Sequence, residues 1–178
     1  MSQIFVSGHK SPDTDSIAAA LSYSYLKRRL GMDAVAVRAG EINKESRFAL
    51  DYFNLEEPML VTSVARKNPE DEKQKVILVD HNESKQTIDG MDDAEVLEII
   101  DHHRFGDFES ENPIFILVRP VGCVNTVIYG LYKANHIKPS REIAGIMLSA
   151  IISDTVLFRS PTTTEEDKET AKELAEIA

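Results

Sequence analysis

The stretch Val96-Leu97-Glu98-Ile99-Ile100-Asp101-His102-His103 consists of a mainly apolar run followed by one aspartate and two histidines. A short apolar run of this kind, rich in β-branched residues, is typical of a buried β-strand. Aspartate and histidine are ligands of divalent cations, and here they follow the run directly. The stretch therefore predicts an α/β sheet with its chemistry at the carboxyl end of a strand.

Three other apolar runs end in the same kinds of side chain. Ile4-Phe5-Val6 precedes His9, Asp13 and Asp15; Val76-Ile77-Leu78-Val79 precedes Asp80; and the run from Ile146 to Ile152 precedes Asp154. Ligands of open α/β sheets collect where the carboxyl ends of neighbouring strands meet. Four segments that end in Asp and His at strand ends therefore predict one shared site for more than one divalent ion.

The composition indicates one globular domain of 178 residues, with 42% hydrophobic and 28% charged side chains. The sequence has no signal-peptide pattern and no run of about 18 apolar residues, so we expect no membrane segment. Cys123 is the only cysteine, which excludes an intramolecular disulfide and favours a reducing, cytoplasmic setting. Thirty acidic and twenty basic residues give a formal charge of −10, which argues against a nucleic-acid surface.

Alternating strands and helices predict an α/β fold: a doubly wound, mostly parallel five-stranded sheet with helices on both faces. The expected strands cover residues 3–7, 34–39, 76–79, 96–100 and 114–118. The expected helices cover residues 16–30, 43–53, 125–135, 140–152 and 164 to the end. Thr163 and Glu166 resemble a capping box for the last helix. Residues 1–178 are expected to form a single domain.

Each candidate ligand also has a simpler interpretation. Asp13 and Asp15 could be turn and helix-cap residues, Asp80 could belong to a turn, and paired histidines often lie in exposed loops. The joint placement of these residues at strand ends is what favours a metal site. An unpaired carboxylate is costly to bury after an apolar strand, and a cation would remove that cost.

The ligand types indicate which metals the site could hold. No thiolate belongs to the set, which disfavours structural zinc, whereas carboxylates with a few imidazoles suit Mn²⁺, Co²⁺, Mg²⁺ or Fe²⁺. One carboxylate can bridge two ions through its two oxygens. Two ions ~3.5–4 Å apart can stabilise both oxygens of an in-line displacement at phosphorus, so phosphoryl hydrolysis is the leading reaction class.

Four motifs resemble those of the family II inorganic pyrophosphatases, which belong to the DHH phosphoesterase superfamily. They are Gly8-His9-Lys10-Ser11-Pro12-Asp13-Thr14-Asp15-Ser16, Val79-Asp80-His81-Asn82-Glu83, Asp101-His102-His103 and Ser153-Asp154-Thr155. These motifs occur in order through nearly the whole chain. Leu157-Phe158-Arg159-Ser160-Pro161-Thr162 also resembles the pyrophosphatases more than their exonuclease relatives.

The resemblance implies roles for the candidate residues. The implied ligands are His9 and Asp13 for a first metal, Asp15, His102 and Asp154 for a second, and Asp80 as the bridge between them. His103 would contact the substrate phosphate or assist the leaving group. Asp101 would support the residues of the site without binding the substrate itself. Two Mn²⁺ or Co²⁺ ions per chain would be the cofactors, and Mg²⁺ would accompany the substrate.

The resemblance also implies the reaction and the partners. Inorganic pyrophosphate would be hydrolysed to two phosphates by a hydroxide that bridges the ions, without a phosphoenzyme. A second copy of the chain would pair through an edge strand. Members of the family carry a smaller second domain whose Lys and Arg residues clamp pyrophosphate, and this chain stops about where that domain should begin. We therefore expect an isolated metal-binding domain with impaired activity.

Two alternatives belong beside this interpretation. The first is a DHH phosphodiesterase that acts on short oligonucleotides or cyclic dinucleotides and uses the same metal chemistry. The absence of an evident basic, aromatic groove in the sequence disfavours it. The second is a non-catalytic module for metal binding or dimerisation, which the missing clamp domain would favour and the complete set of ligands would not.

Overall fold

A computed structural model describes residues 3–178, which form six β-strands and five α-helices. The strands are β1 Ile4–Ser7, β2 Ala34–Arg38, β3 Met59–Leu60, β4 Lys75–Val79, β5 Glu95–Asp101 and β6 Phe115–Val118. The helices are α1 Thr14–Arg29, α2 Lys44–Tyr52, α3 Val124–Ala134, α4 Arg141–Asp154 and α5 Glu165–Ala175. Among the helices of residues 3–178, none combines the length and the apolar character that crossing a bilayer requires.

All six strands are parallel and lie in the order β3-β2-β1-β4-β5-β6. The chain moves from β1 outward to β2 and β3, and then returns to place β4 on the other side of β1. The carboxyl ends of β1 and β4 therefore flank the point where the strand order reverses, which is the usual ligand position in such sheets. Ser7 pairs with Leu78, so the loops after these two strands leave the sheet side by side.

The doubly wound α/β class is confirmed, and the sheet has six strands where we expected five. The additional strand, β3, contains only Met59 and Leu60, both exposed. It pairs with Val37 and Arg38 of β2 at the edge of the sheet. Two exposed residues show no periodic pattern, so the sequence gives no signal for this strand.

The two faces of the sheet are covered differently, which departs from the expectation of helices on both. One face, with Val6 and Ile77, forms the main core together with side chains from all five α-helices. The other face, with Val37 and Leu78, packs against the connections between strands, which contribute the buried Val64 and Ile88. These connections include a 3₁₀ turn at Met91–Asp93. Polar residues dominate the connection from β4 to β5, so it lacks the apolar stripe that an α-helix needs for packing.

The apolar run before Asp154 is helical, which confirms the helix expected over residues 140–152. The grouping of Asp154 with residues that follow strands was therefore wrong. Ile146 to Ile152 lie within α4, whose buried side chains pack against α1 and α5. Burial from more than one side makes this helix apolar around much of its circumference, and its sequence therefore resembles a buried strand. Asp154 is the last residue of α4 and approaches the site from a helix end.

The capping box of α5 lies one residue later than predicted. Thr164 is the N-cap, and it exchanges hydrogen bonds with Asp167, where Thr163 and Glu166 were expected. Asp167 is fully buried, whereas Glu166 forms a two-bond ion pair with Arg119. Tertiary contacts therefore decide which of the adjacent acidic residues turns back to the helix terminus.

Gly145 in α4 allows a close approach of Phe53, the residue that follows α2. A Cβ atom at Gly145 would lie 2.1 Å from Cε1 of Phe53. Gly145→Ala is therefore expected to destabilise the protein by about 1–3 kcal/mol, because the ring must move. Gly130→Ala in α3 is the matched control, since a Cβ there meets no atom of residues 3–178 within 4 Å.

Better helix propensity should make the control variant more stable by up to about 1 kcal/mol. Urea denaturation measures the free energy of unfolding of both variants. Shifts of the same sign and size would contradict the close contact.

Candidate metal centre

Asp80 lies at the centre of the site, directly after β4. Its backbone is left-handed (φ 63°), a conformation that aspartate tolerates better than most residues. Its side chain is buried, and its two oxygens face different histidines. Oδ2 lies 3.3 Å from Nε2 of His9, and Oδ1 lies 3.3 Å from Nε2 of His102. One carboxylate is thus placed between two imidazoles, as a bridge between two ions requires.

His9, Asp13 and Asp80 form the first group of potential ligands, and their ligand atoms lie within 4.8 Å of one another. Asp13 is the N-cap of α1, and its Oδ1 accepts a hydrogen bond from the backbone N–H of Ser16. Its Oδ2 lies 3.6 Å from Nε2 of His9. Helix capping and metal binding are compatible at this residue because each uses a different oxygen.

A second group surrounds Asp15, in the first turn of α1. Nε2 of His102 lies 3.5 Å from Oδ2 of Asp15, and ligand atoms of Asp15 and Asp154 lie within 4.8 Å of each other. Nδ1 of His102 donates to the carbonyl of Val121 (3.0 Å), which directs Nε2 toward the carboxylates. The structure therefore brings all six residues predicted as ligands to one end of the sheet.

Asp154 reaches this site from the C-terminus of α4, where the helix dipole disfavours an anion. Burial and the neighbouring Asp15 carboxylate raise the pKa of Asp154 far above its usual range. After Thr155, residues 156–158 form a left-handed turn. Oγ1 of Thr155 donates to the carbonyl of Ile151 and accepts from the backbone N–H of Phe158. This turn ends the helix and fixes the direction from which Asp154 approaches.

The carboxylates of the cluster favour bound protons on their neighbours. Burial favours neutral His9, yet Asp13 and Asp80 raise its pKa to about 10. Burial acts on His102 in the same way, while Asp80 and Asp15 raise its pKa to about 9. Burial and the charge of Asp15 raise the pKa of Asp80 itself. A divalent ion would replace the protons that these groups hold and would reduce the repulsion.

The donor set fits two divalent ions. The two groups contain four carboxylates, whose formal charge of −4 equals in size the charge of two such cations. Oδ1 of Asp80 is buried and receives no hydrogen bond from any residue between 3 and 178, so a cation would satisfy it. Carboxylate oxygens with imidazole nitrogens are donors that suit Mn²⁺.

Asp101 and His103 form a hydrogen-bonded pair beside the two groups. Oδ1 of Asp101 accepts from Nδ1 of His103 (2.9 Å) and from the backbone N–H of His102 (2.7 Å). Asp101 is fully buried, whereas the His103 side chain is 54% exposed. The hydrogen bond to Asp101 raises the pKa of His103 and leaves Nε2 of the ring available. This geometry suits Asp101 to orienting His103.

Two buried asparagines support these residues and were not expected from the sequence. Nδ2 of Asn82 donates to Oδ2 of Asp101 (2.5 Å), and Oδ1 of Asn82 accepts from the backbone N–H of Gly106. Nδ2 of Asn125 donates to Oδ1 of Asp15 (2.6 Å). These contacts join distant parts of the chain, which local patterns do not reveal. The one available signal is that Asn82 lies two residues past the central carboxylate, at a strand end.

Cys123 lies within the second group but is suited to donate a hydrogen bond. Its Sγ lies 2.9 Å from Oδ1 of Asp15, and it is also near Asp154. Burial, followed by the charges of Asp15 and Asp154, raises the pKa of the thiol well above its usual range. The protonated thiol donates to Asp15 and helps to fix the orientation of this carboxylate.

The parallel sheet and the Asp and His side chains at its switch point define an α/β domain with a cluster that could hold metal ions. Residues 3–151 match the family model described as the DHH family, N-terminal domain. The chain belongs to the DHH family.

Named relatives match the chain over its whole length. It is 52% identical to a probable manganese-dependent inorganic pyrophosphatase from Exiguobacterium sp. and 50% identical to the manganese-dependent inorganic pyrophosphatase of Bacillus subtilis. Each match covers 100% of this chain and 56% of the relative, so the chain spans about half the length of the curated relatives it matches.

Solved structures share the fold. A crystal structure from Methanococcus jannaschii, described as a candidate family II inorganic pyrophosphatase, superposes with a TM-score of 0.88 at 43% identity. The superposition covers 99% of this chain and 56% of that one. An exopolyphosphatase-related protein from Bacteroides fragilis superposes with a TM-score of 0.73 at 19% identity, over 98% of this chain and 52% of its own. The second likeness shows the shared fold alone.

Mn²⁺ is expected to stabilise the folded protein, because only the folded state assembles the carboxylates. At about 100 times Kd the gain is ~2.7 kcal/mol, which corresponds to a rise in Tm of roughly 5–10 °C by calorimetry. Asp80→Asn keeps the left-handed backbone but should abolish this rise and lose both ions, because both groups use the same carboxylate. Asp51→Asn, at an exposed carboxylate of α2, is the control. Metal analysis that finds one ion retained in Asp80→Asn would contradict the central position of Asp80.

Proposed function

We propose that this chain forms the metal-binding half of a manganese-dependent inorganic pyrophosphatase. The observation that carries the proposal is the placement of Asp80, whose two oxygens each lie 3.3 Å from a different imidazole. The names of the relatives that match all 178 residues support the metal and the substrate. The reaction is hydrolysis of inorganic pyrophosphate to two phosphates.

The proposed cofactors are two Mn²⁺ ions per chain, which Co²⁺ could replace, and Mg²⁺ accompanies the substrate. The proposed ligands are His9 and Asp13 for the first ion, Asp15, His102 and Asp154 for the second, and one oxygen of Asp80 for each. Bound ions would supply positive charge at the phosphoryl oxygens and lower the pKa of a water molecule. The two ligand groups described above support this division.

His103 is the residue that we expect to meet the substrate. Asp101 holds Nδ1 of the ring at 2.9 Å and favours its charged form by raising its pKa. Nε2 then remains free to donate a hydrogen bond to a phosphate oxygen. Because a charged imidazole can also release its proton, the same atom can protonate the leaving phosphate.

The domain organisation is part of the proposal. Residues 1–178 form one metal-binding domain, and its centre is lined mainly by carboxylates. Pyrophosphate is a polyanion, so its binding calls for cations beyond the metal ions themselves. In the longer relatives, of which this chain spans 56%, we place the cationic clamp in the part that the chain does not span. The chain alone is therefore expected to be a weak catalyst.

The proposed location of the protein is the cytoplasm. The proposed substrate, pyrophosphate, is a small phosphate compound. Cys123 is a buried free thiol, which suits a reducing compartment. The formal charge of −10 disfavours a long polyanion such as nucleic acid, since that affinity depends on clustered cations.

Phosphate release from pyrophosphate, measured with the metal content of the same Mn²⁺-saturated sample, tests the proposed activity. We expect two bound ions and slow release. His103→Gln should reduce release at least about tenfold, because general acid catalysis contributes roughly 10²–10⁴-fold. His136→Gln, at an exposed histidine outside the site, is the control and should have no effect.

A dinucleotide substrate is assayed in parallel. Faster cleavage of the dinucleotide than of pyrophosphate would favour the phosphodiesterase alternative. Two bound ions with no phosphate release would mean an intact catalytic half that requires the missing cationic clamp.

A second copy of this chain is the proposed protein partner, paired through β6. This edge strand exposes Phe115 and Ile116, and the unpaired backbone of a sheet edge is a template for another strand. Ile116→Lys is expected to shift the protein toward the monomer in sedimentation velocity, because the pairing would bring the charge into the interface. Met59→Lys, at the opposite edge, is the matched control. A monomeric wild-type protein would contradict the proposed pairing.

A further inference from the structure

A buried carboxylate outside the two ligand groups, Asp167 of α5, connects that helix to the metal centre. Asp167 is fully buried. It accepts hydrogen bonds from N and Oγ1 of Thr164 (both 2.7 Å), from N of Gly122 (2.9 Å) and from Oγ1 of Thr126 (2.6 Å). These donors engage both carboxylate oxygens and offset the cost of burying them.

Two of these hydrogen bonds hold residues 121–126, which we call the anchor segment. The anchor segment in turn orients two residues of the second ligand group. The carbonyl of Val121 accepts from Nδ1 of His102 (3.0 Å). The backbone N–H of Val124 donates to Oδ2 of Asp15 (2.8 Å), and the side chain of Asn125 donates to its Oδ1 (2.6 Å). The orientation of both ligands therefore depends on where the anchor segment lies.

Gly122 brings a third ligand into the same arrangement. A Cβ atom at Gly122 would lie 2.9 Å from Oδ2 of Asp167 and 2.9 Å from Cγ2 of Thr155. Thr155 follows Asp154 and caps the end of α4. The anchor segment is thus packed between the carboxylate of Asp167 and the residue next to Asp154.

The first ligand group has separate supports. The backbone N–H of His9 donates to Oγ of Ser16, the same residue whose N–H is capped by Asp13. The backbone N–H of Asp80 donates to the carbonyl of Ile100 in β5. Within residues 3–178, no hydrogen bond joins His9, Asp13 or Asp80 to the anchor segment. The two groups are therefore held by different parts of the fold.

We propose that Asp167 is a positioning residue for the second ion of the two-metal centre, an inference that rests on the function proposed above. Its carboxylate acts through the anchor segment, which sets the directions of Asp15 and His102. Asp167 itself contacts neither of these side chains. Loss of the Asp167 carboxylate weakens the binding of the second ion selectively, because the first ligand group does not depend on the anchor segment.

Asp167→Asn tests the proposal with little change in side-chain size. The amide replaces one acceptor oxygen with a donor. At the position of Oδ2 this donor would oppose the backbone N–H groups of Gly122 and Thr164, and at the position of Oδ1 it would oppose the hydroxyl proton of Thr126. Stepwise binding of Mn²⁺ is measured by titration calorimetry, and metal content is measured after gel filtration. The first Kd should stay within about twofold of wild type, and the second should rise at least about tenfold, as expected for groups that orient metal ligands.

Two further variants separate positioning from general stability. Thr164→Ala removes the hydroxyl that caps α5 but keeps the hydrogen bonds of Asp167 to Gly122 and Thr126. It should lower Tm without changing either Kd. Thr126→Val removes one donor to Asp167 at nearly constant side-chain volume. It should raise the Kd of the second ion severalfold. This variant carries the test if Asp167→Asn does not fold.

The outcomes are distinct. Selective weakening of the second ion supports the positioning role. An equal rise in the Kd of both ions, or no change in either Kd, overturns the positioning role. Wild-type protein that binds no Mn²⁺ would instead refute the two-metal centre, and the positioning role with it.

Discussion

Repulsion among four carboxylates is the constraint on which the rest of this site depends. Asp13, Asp15, Asp80 and Asp154 meet at the carboxyl edge of one parallel sheet, three of them largely withdrawn from water. Free carboxylates would separate, so the backbone must hold them together through contacts that cost less than the repulsion. The raised pKa values of His9 and His102 show how strongly the cluster attracts positive charge. A fold that keeps such a cluster is arranged for cations.

The helix ends distribute this repulsion unequally. Asp15 lies in the first turn of α1 and accepts from the backbone N–H of Val124 at the start of α3, so two helix N-termini favour its charge. Asp154 has the opposite environment, at the C-terminus of α4 and beside Asp15. The second ligand group thus combines a well-stabilised carboxylate with a poorly stabilised one. The hydrogen bonds from residues 123–125 converge on the stabilised member, Asp15.

The sequence predicted the site more completely than it predicted the cover of the sheet. Strands β1, β4 and β5 are short and mainly apolar, and a predicted ligand follows each of them within two residues, so a local pattern is sufficient to find them. The helix over residues 140–152 was predicted correctly, yet Asp154 was grouped with strand ends because a helix buried from several sides lacks a polar face. The metal-binding roles themselves stay predictions.

Contacts between distant residues account for what the sequence could not give. Asn125 reaches Asp15 across 110 positions, and Asp167 reaches Gly122 across 45. No periodicity or motif encodes such a pair, because the partner is chosen only when the helices pack. Strand β3 was missed because both of its residues are exposed and show no apolar pattern.

The left-handed backbone of Asp80 limits how this position can evolve. Glycine would adopt the conformation but bring no ligand, and glutamate would bring a carboxylate on a longer side chain that is less suited to the turn. Asparagine would fit the turn and the space, yet it would lose the charge. Every single exchange therefore removes either the turn or the carboxylate, and no intermediate sequence keeps both. Divergence among related chains is consequently expected to accumulate around position 80 and to leave the position itself unchanged.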